Sequence, residues 1–144
     1  MYAFVTGGFE LNKVYPVYVV DDDEGVRALL ADLCEDRSIV CRGFASGEEF
    51  LAALDELEPG CVLLDMRLPR RSGLQVQAEM ARRGRVFPVI AITGYGGVDM
   101  AVESMKMGAL DFIEKPFAND VLFEALELGF ARLSGTGGTA RAPA

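Results

Sequence analysis

Histidine is absent from this 144-residue chain, and that absence removes much familiar chemistry. Without an imidazole there is no Ser-His or Cys-His nucleophilic pair and no histidine general base. The three cysteines, Cys34, Cys41 and Cys61, are an odd number with no CxxC spacing, so they lack the pattern of a zinc site and read as small buried hydrophobes. Positive charge is also scarce. Fourteen Lys and Arg stand against 22 Asp and Glu, a net charge of −8, which argues against nonspecific nucleic-acid binding by this chain. No apolar run reaches the roughly 18 residues of a membrane span, and the first residues lack the basic, apolar and small-residue order of a secretory signal. A cytoplasmic protein without a membrane partner is the expectation. The chemistry left to it runs on carboxylates, a hydroxyl or an amine.

What is present begins with apolar residues, 51% of the chain, enough for one domain with a real core. The run Cys61, Val62, Leu63, Leu64 suits a strand buried on both faces of a parallel sheet, and it stops at Asp65. In open parallel sheets the ligand crevice lies outside the carboxyl ends of the strands, which makes Asp65 a candidate reacting residue. Taken alone, it reads equally well as an Asp that starts a turn.

Along the chain, residues 1–14 carry no assignable role: a leader laid on the surface, a weak hairpin about Gly7 and Gly8, or residues foreign to the domain all fit. Val17 to Val20 form the first β-branched run, followed by Asp21, Asp22, Asp23 and Glu24. Asp23 and Glu24 suit the first turn of a helix whose apolar stripe is Val26, Leu29, Leu30, Leu33 and Cys34. Asp21 and Asp22 fall at the strand end and need another reason. Residues 39–45 predict a second strand. Ser46 and Glu49 have capping-box spacing ahead of a helix with Phe50, Leu51, Leu54 and Leu57, stopped by Pro59 and Gly60. After Asp65 a loop to Gly73 leads into a helix of about residues 74–83; its Arg82 and Arg83, with Arg85, read as a solvated face. A fourth apolar run, 87–92, ends at Thr93, and Val98, Ala101, Val102 and Met105 mark the following helix, closed by Gly108. The fifth run, 109–113, gives way to Glu114, Lys115 and Pro116. A last helix near 119–133 carries Val121, Leu122, Ala125, Leu126 and Gly129 on one side.

Five repeats of strand then helix, joined by connections too short for anything but crossover helices, predict an α/β fold: a five-stranded parallel sheet with helices on both faces. The strands deliver polar groups at their ends: Asp21 and Asp22 after the first, Asp65 after the third, Thr93 after the fourth, Lys115 after the fifth. With strand order 2-1-3-4-5 the first and third strands are neighbours at the switch point, so three carboxylates meet. At about 4 Å two like charges repel by about 4 kcal/mol at an effective dielectric of about 20. Such a cluster needs a cation, and one Lys with one divalent ion balances it. Carboxylate-rich, all-oxygen ligation favours Mg²⁺. A carboxylate beside Mg²⁺, a hydroxyl and a fixed Lys is a phosphoryl-acceptor arrangement in which Asp is the nucleophile and forms an aspartyl phosphate. An ionised Asp needs no general base, which agrees with the missing histidine.

Val19-Val20-Asp21-Asp22-Asp23-Glu24, Leu63-Leu64-Asp65-Met66-Arg67-Leu68-Pro69, Ile92-Thr93-Gly94 and Asp111-Phe112-Ile113-Glu114-Lys115-Pro116-Phe117 occur in that order, and together they resemble the receiver domain of bacterial two-component response regulators over about residues 15–134. The run from Thr93 through Met105 to Phe117 resembles the FixJ-type branch. The resemblance implies a flavodoxin-like fold with Asp65 as the phosphorylated residue. It implies Mg²⁺ held by Asp65, by Asp22 directly, by Asp21 largely through water, and by the Arg67 main-chain carbonyl. Thr93 and Lys115 would bind the phosphoryl group, and the Lys115–Pro116 bond would be cis. The donor would be the phosphohistidine of a sensor histidine kinase.

In the family mechanism Thr93 moves toward the phosphoryl group and an aromatic at Phe112 turns inward. The surface of the fourth helix, fifth strand and fifth helix is thereby rebuilt, a face through which a homodimer would form. Phe112 equally reads as a plain core residue of its strand. Arg67 and Tyr95 occupy positions that tune the lifetime of the phosphoryl group; Tyr95 stands where His is frequent, and Arg70 and Arg71 where smaller or apolar residues are. The protein would be a signalling phosphoacceptor, not an enzyme beyond its own phosphotransfer and slow dephosphorylation. FixJ-type proteins continue into a DNA-binding helix-turn-helix, whereas residues 135–144 read as a flexible tail or linker. Two readings follow, a stand-alone receiver or the input half of a transcription factor. A rival, the aspartate-nucleophile phosphatase of haloacid-dehalogenase kind, needs a second Asp two residues after the nucleophile, where this chain has Arg67.

Overall fold

Alternation of β-branched runs with amphipathic segments produces a three-layer α/β/α molecule. The computed structural model describes residues 15–94 and 96–135; the leader, Tyr95 and the tail beyond Gly135 lie outside them. In chain order the elements are β1 (Val17–Val20), α1 (Glu24–Glu35), β2 (Cys41–Phe44), α2 (Gly47–Ala53), β3 (Cys61–Asp65), α3 (Gly73–Arg82), β4 (Val89–Thr93), α4 (Val98–Lys106), β5 (Asp111–Glu114) and α5 (Asn119–Ser134). All strands are parallel, in the order β2-β1-β3-β4-β5 expected of the flavodoxin-like arrangement.

Because side chains alternate across a strand, each central strand feeds two cores. Tyr18, Val20, Val62, Leu64 and Ala91 pack with Phe50, Leu51, Val76 and Met80 of α2 and α3. Val17, Val19, Leu63, Ile90 and Ile92 pack with Leu30 and Cys34 of α1 and Leu122 and Leu126 of α5. β3 is buried along its whole length, as a run without polar interruption requires. Cys34 and Cys61 are buried and Cys41 half-buried, all free thiols, which suits the small-hydrophobe reading.

Several local expectations need correction. α2 ends at Ala53 and tightens into a 3-10 turn over Leu54–Glu56, while Leu57 is extended; Leu54 and Leu57 are nonetheless buried. At the start of α2, Ser46 Oγ accepts from the Glu49 amide at 3.0 Å, but the Glu49 carboxylate turns to the amide of Ala45, so only half of the capping box forms. A complete one, Ser72 with Gln75, starts α3. Arg83 and Arg85 are not a solvated face. Arg83 Nη1 donates to the Leu51 carbonyl at 2.9 Å and Arg85 Nη2 to the Leu54 carbonyl at 3.1 Å, a second donor for carbonyls that already accept the Leu54 and Leu57 amides. Arg82 alone stays outside, paired with Glu79 at 2.6 Å.

The apolar stripe assigned to α4 is the largest departure. Val98, Val102 and Met105 are exposed (48%, 43% and 39%), and Ala101 and Ser104 face inward instead. A buried reciprocal pair sets that rotation: Gln77 Nε2 of α3 donates to the Ser104 carbonyl at 3.1 Å, and Ser104 Oγ donates back to Gln77 Oε1 at 2.7 Å. Once both partners are buried, turning either to the surface would strand the other. Leu29 on α1 and Val121 on α5 are likewise exposed, since the arc of each helix that meets the sheet is narrower than its apolar stripe.

α5 lies close on the sheet at Gly129, where a Cβ would come within 2.6 Å of Cys61 Sγ. Gly129→Ala is therefore expected to destabilise the protein by about 1–3 kcal/mol through overpacking, measured as a lower midpoint in urea. In a Cys61→Ala background the same change should cost distinctly less.

Candidate functional site

The carboxyl ends of β1 and β3 are adjacent because these strands pair in register, Val20 beside Leu64, so the next residue of β3 and the first residue after β1 are both acids. Asp21 and Asp65 are almost entirely buried, and Asp22 is exposed. One oxygen from each of the three lies within 4.8 Å of the others.

Local backbone bonds aim these groups. Asp21 Oδ1 accepts the Asp23 amide at 2.9 Å, and Asp65 Oδ1 accepts the Arg67 amide at 3.0 Å, two Asx-type turns that each leave the second oxygen free of the backbone. Asp23 caps α1, accepting from the amides of Gly25 and Val26, which gives the third acid of the run a structural role. Arg27, one turn into α1, donates from Nη1 to the Asp21 carbonyl at 2.8 Å and so ties the acidic loop to the helix. No sequence signal marked that bond.

Lys115 follows β5, two strands away from β3. Its amide donates to the Thr93 carbonyl at 2.8 Å, and its Nζ lies 3.1 Å from Asp21 Oδ2 and 3.6 Å from Asp65 Oδ2. The Lys115–Pro116 bond is cis. Thr93 is fully buried at the end of β4, and its hydroxyl donates to the Gly94 carbonyl at 3.3 Å. Phe112 on β5 is half-buried against the α2 and α3 side of the sheet. Arg67 reaches across the mouth, Nη2 donating to the Gly96 carbonyl at 3.2 Å. Arg70 and Arg71 pair with Glu48, at 4.0 and 3.9 Å. The structure thus gathers Asp21, Asp22, Asp65 and Lys115, with Thr93 buried at the end of β4 and Arg67 across the mouth, while Tyr95 is outside the described residues.

Burial pushes the Asp65 carboxyl up to about 6; Asp21 and Asp22 add to the rise, and the Arg67 amide and Lys115 oppose it. For Lys115 burial works against the charged form, but the hydrogen bond to Asp21 and the charges of Asp65 and Asp21 outweigh it and raise its pKa. One ammonium does not neutralise three acids. The uncompensated charge and the all-oxygen donor set fit a hard divalent cation.

Acids at the switch point of a 2-1-3-4-5 sheet, with a hydroxyl and a lysine from the next two strands, define a phosphoacceptor signalling domain. The chain belongs to the response regulator receiver domain family, whose signature matches residues 17–127, and domains of this family typically bind Mg²⁺. It is 42% identical over 117 residues to the transcriptional regulatory protein FixJ of Azorhizobium caulinodans, covering 81% of this chain and 56% of that protein. To the response regulator protein TmoT of Ectopseudomonas mendocina it is 40% identical over 110 residues, 76% of this chain and 50% of that protein. The chain therefore spans about half the length of these relatives. The crystal structure of FixJ-N superposes with a TM-score of 0.78 at 40% identity, covering 82% of this chain and 94% of that one. The FixJ-type resemblance and the two-component assignment stand. Among the described residues no helix is long and apolar enough to cross a membrane.

A carboxyl whose pKa is raised by the fold favours its protonated form, so ionising it costs stability. That cost is absent below about pH 4, grows as pH rises, and is complete above about 6. Without metal, Asp65→Asn should be more stable than wild type at pH 7.5 by roughly 1–3 kcal/mol, and the gap should close toward pH 4. Mg²⁺ should stabilise wild type more than the variant. Urea unfolding with chelator and with Mg²⁺, at both pH values, measures this.

Proposed function

We propose that Asp65 accepts a phosphoryl group from the phosphohistidine of a partner histidine kinase. The observation that carries the reading is a buried carboxylate 3.6 Å from a lysine ammonium, with two further acids within 4.8 Å. Asp21, Asp22, Asp65 and the main-chain carbonyl of Arg67 would hold Mg²⁺, which when bound supplies positive charge beside the phosphoryl oxygens.

The chain's own residues do the rest. The free Asp65 oxygen attacks phosphorus, the P–N bond of phosphohistidine breaks, and its electron pair leaves on the imidazole nitrogen. Lys115, already raised in pKa and held by Asp21, stays charged and offsets the charge of a transferred oxygen. The Thr93 hydroxyl turns from the Gly94 carbonyl to donate to a phosphoryl oxygen. Arg67, which bridges the mouth to Gly96, and Tyr95 set how readily water reaches the aspartyl phosphate. Beyond this transfer and its slow reversal by water the chain is not an enzyme.

The aspartyl phosphate carries about −1.5 to −2 charges where the carboxylate carried a single one, so the transfer adds negative charge to a site that Lys115 and Mg²⁺ would otherwise balance. Thr93 and Phe112 relay that change to the face of α4, β5 and α5, where Val98, Val102, Met105 and Val121 lie exposed, and a homodimer forms through it. A kinase-fed acceptor with three free thiols works in the cytoplasm. Relatives named as transcriptional regulatory proteins, of which the matched region covers 56% in one case, favour a second reading in which this chain is the input half of a DNA-binding regulator.

Acetyl phosphate with Mg²⁺ should add one phosphate to the intact mass. Uptake by Asp65→Asn equal to wild type, or uptake indifferent to chelator, would refute the assignment. With beryllofluoride, light scattering should show the molar mass move toward that of a dimer, and an unchanged mass would count against the proposed interface.

A further inference from the structure

Thr93 rests in a hollow that belongs to another residue. A Cβ placed on Gly97 would coincide with Thr93 Oγ1, and would lie 3.0 Å from Thr93 Cβ and 3.2 Å from the Gly94 carbonyl oxygen. The backbone at Gly97, φ −95° and ψ 15°, is negative in φ and open to L-residues. Space, not backbone conformation, reserves the position for glycine. Nor is Gly97 free to drift. Its amide donates to the Gly94 carbonyl at 3.1 Å and its own carbonyl accepts the Ala101 amide at 3.1 Å in the first turn of α4. Gly97 is the N-cap of α4 and offers no capping side chain, so the Thr93 hydroxyl fills the room such a side chain would take.

We propose that Gly97 is a positioning residue that sets the resting rotamer of Thr93. The bare Cα provides a seat in which the hydroxyl points at Gly94, and any side chain at 97 evicts it to another staggered position. The seat is shallow. The hydroxyl holds one long bond, 3.3 Å, to an acceptor it shares with the Gly97 amide. Gly97 thereby biases the domain toward rest, and a methyl group there biases Thr93 toward the acids. The second half of this inference rests on the assignment of Thr93 to the phosphoryl group.

Gly97→Ala tests both halves separately. In the unphosphorylated protein, side-chain couplings and the methyl shift of Thr93, read by NMR, should report a changed rotamer. In parallel, beryllofluoride binding with Mg²⁺ should tighten, by up to about tenfold, because less of the population waits in the unproductive rotamer. A Thr93 rotamer identical to wild type overturns the proposal. A changed rotamer with unaltered beryllofluoride affinity supports the seat and instead refutes Thr93 as a phosphoryl ligand. Should Gly97→Ala fail to fold, Gly97→Ala with Thr93→Ala decides: a folded double variant supports the clash with the hydroxyl, and an unfolded one overturns it.

Discussion

Everything at the working end of this molecule depends on holding three carboxylates together, two of them buried and the third exposed at the rim. A parallel sheet does this by stacking strand ends side by side, and the repulsion it creates is met from β5 by a lysine that reaches Asp21 and Asp65 together. Burial, with the charges of Asp21 and Asp22 added to it, still pushes the Asp65 carboxyl up to about 6. The site is thus electrostatically unfinished: it is suited to added positive charge, and a doubly charged cation would favour the ionised form of Asp65 and offset negative oxygens brought beside it.

The five strand-helix repeats, the burial of β1, β3 and β4 and the members of the acidic cluster were legible in the sequence, because those three strands are uninterrupted apolar runs ending in polar residues; β2 and β5, interrupted by Arg42 and Asp111, are mostly unburied. An uninterrupted run suits a strand covered on both faces, and in open parallel sheets the ligand crevice lies outside the carboxyl ends of the strands. What stayed hidden depends on contacts distant in the chain. Arg83 and Arg85 look like surface charge until the end of α2 arrives beneath them. Gln77 and Ser104 look like solvent-facing polar positions until α3 and α4 are set side by side. The exposure of Val98, Val102 and Met105 follows from the same pairing, which no periodicity reveals. Arg27 and Arg67 act through carbonyl oxygens, Asp21 and Gly96, and main-chain acceptors leave no trace in a sequence.

The division of labour among neighbouring acids has the same origin. Asp21, Asp22 and Asp23 are chemically identical, yet one is buried against a lysine, one faces solvent at the rim, and one caps a helix. Successive residues leaving a strand point in different directions, so identity comes from position along the turn.

The Gln77–Ser104 pair carries a consequence for how α4 travels. Its two hydrogen bonds run in opposite directions between the same two residues, so they lengthen and fail together. A small displacement of α4 leaves the two Gln77 amide atoms and the Ser104 hydroxyl stranded in an apolar layer, at about 1–3 kcal/mol for each group, while the Ser104 carbonyl keeps the amides of Met107 and Ala109. Motion that is expensive at the outset and cheap afterwards is not graded. It would make α4 a detent rather than a spring, so that any displacement of the helix comes as a step.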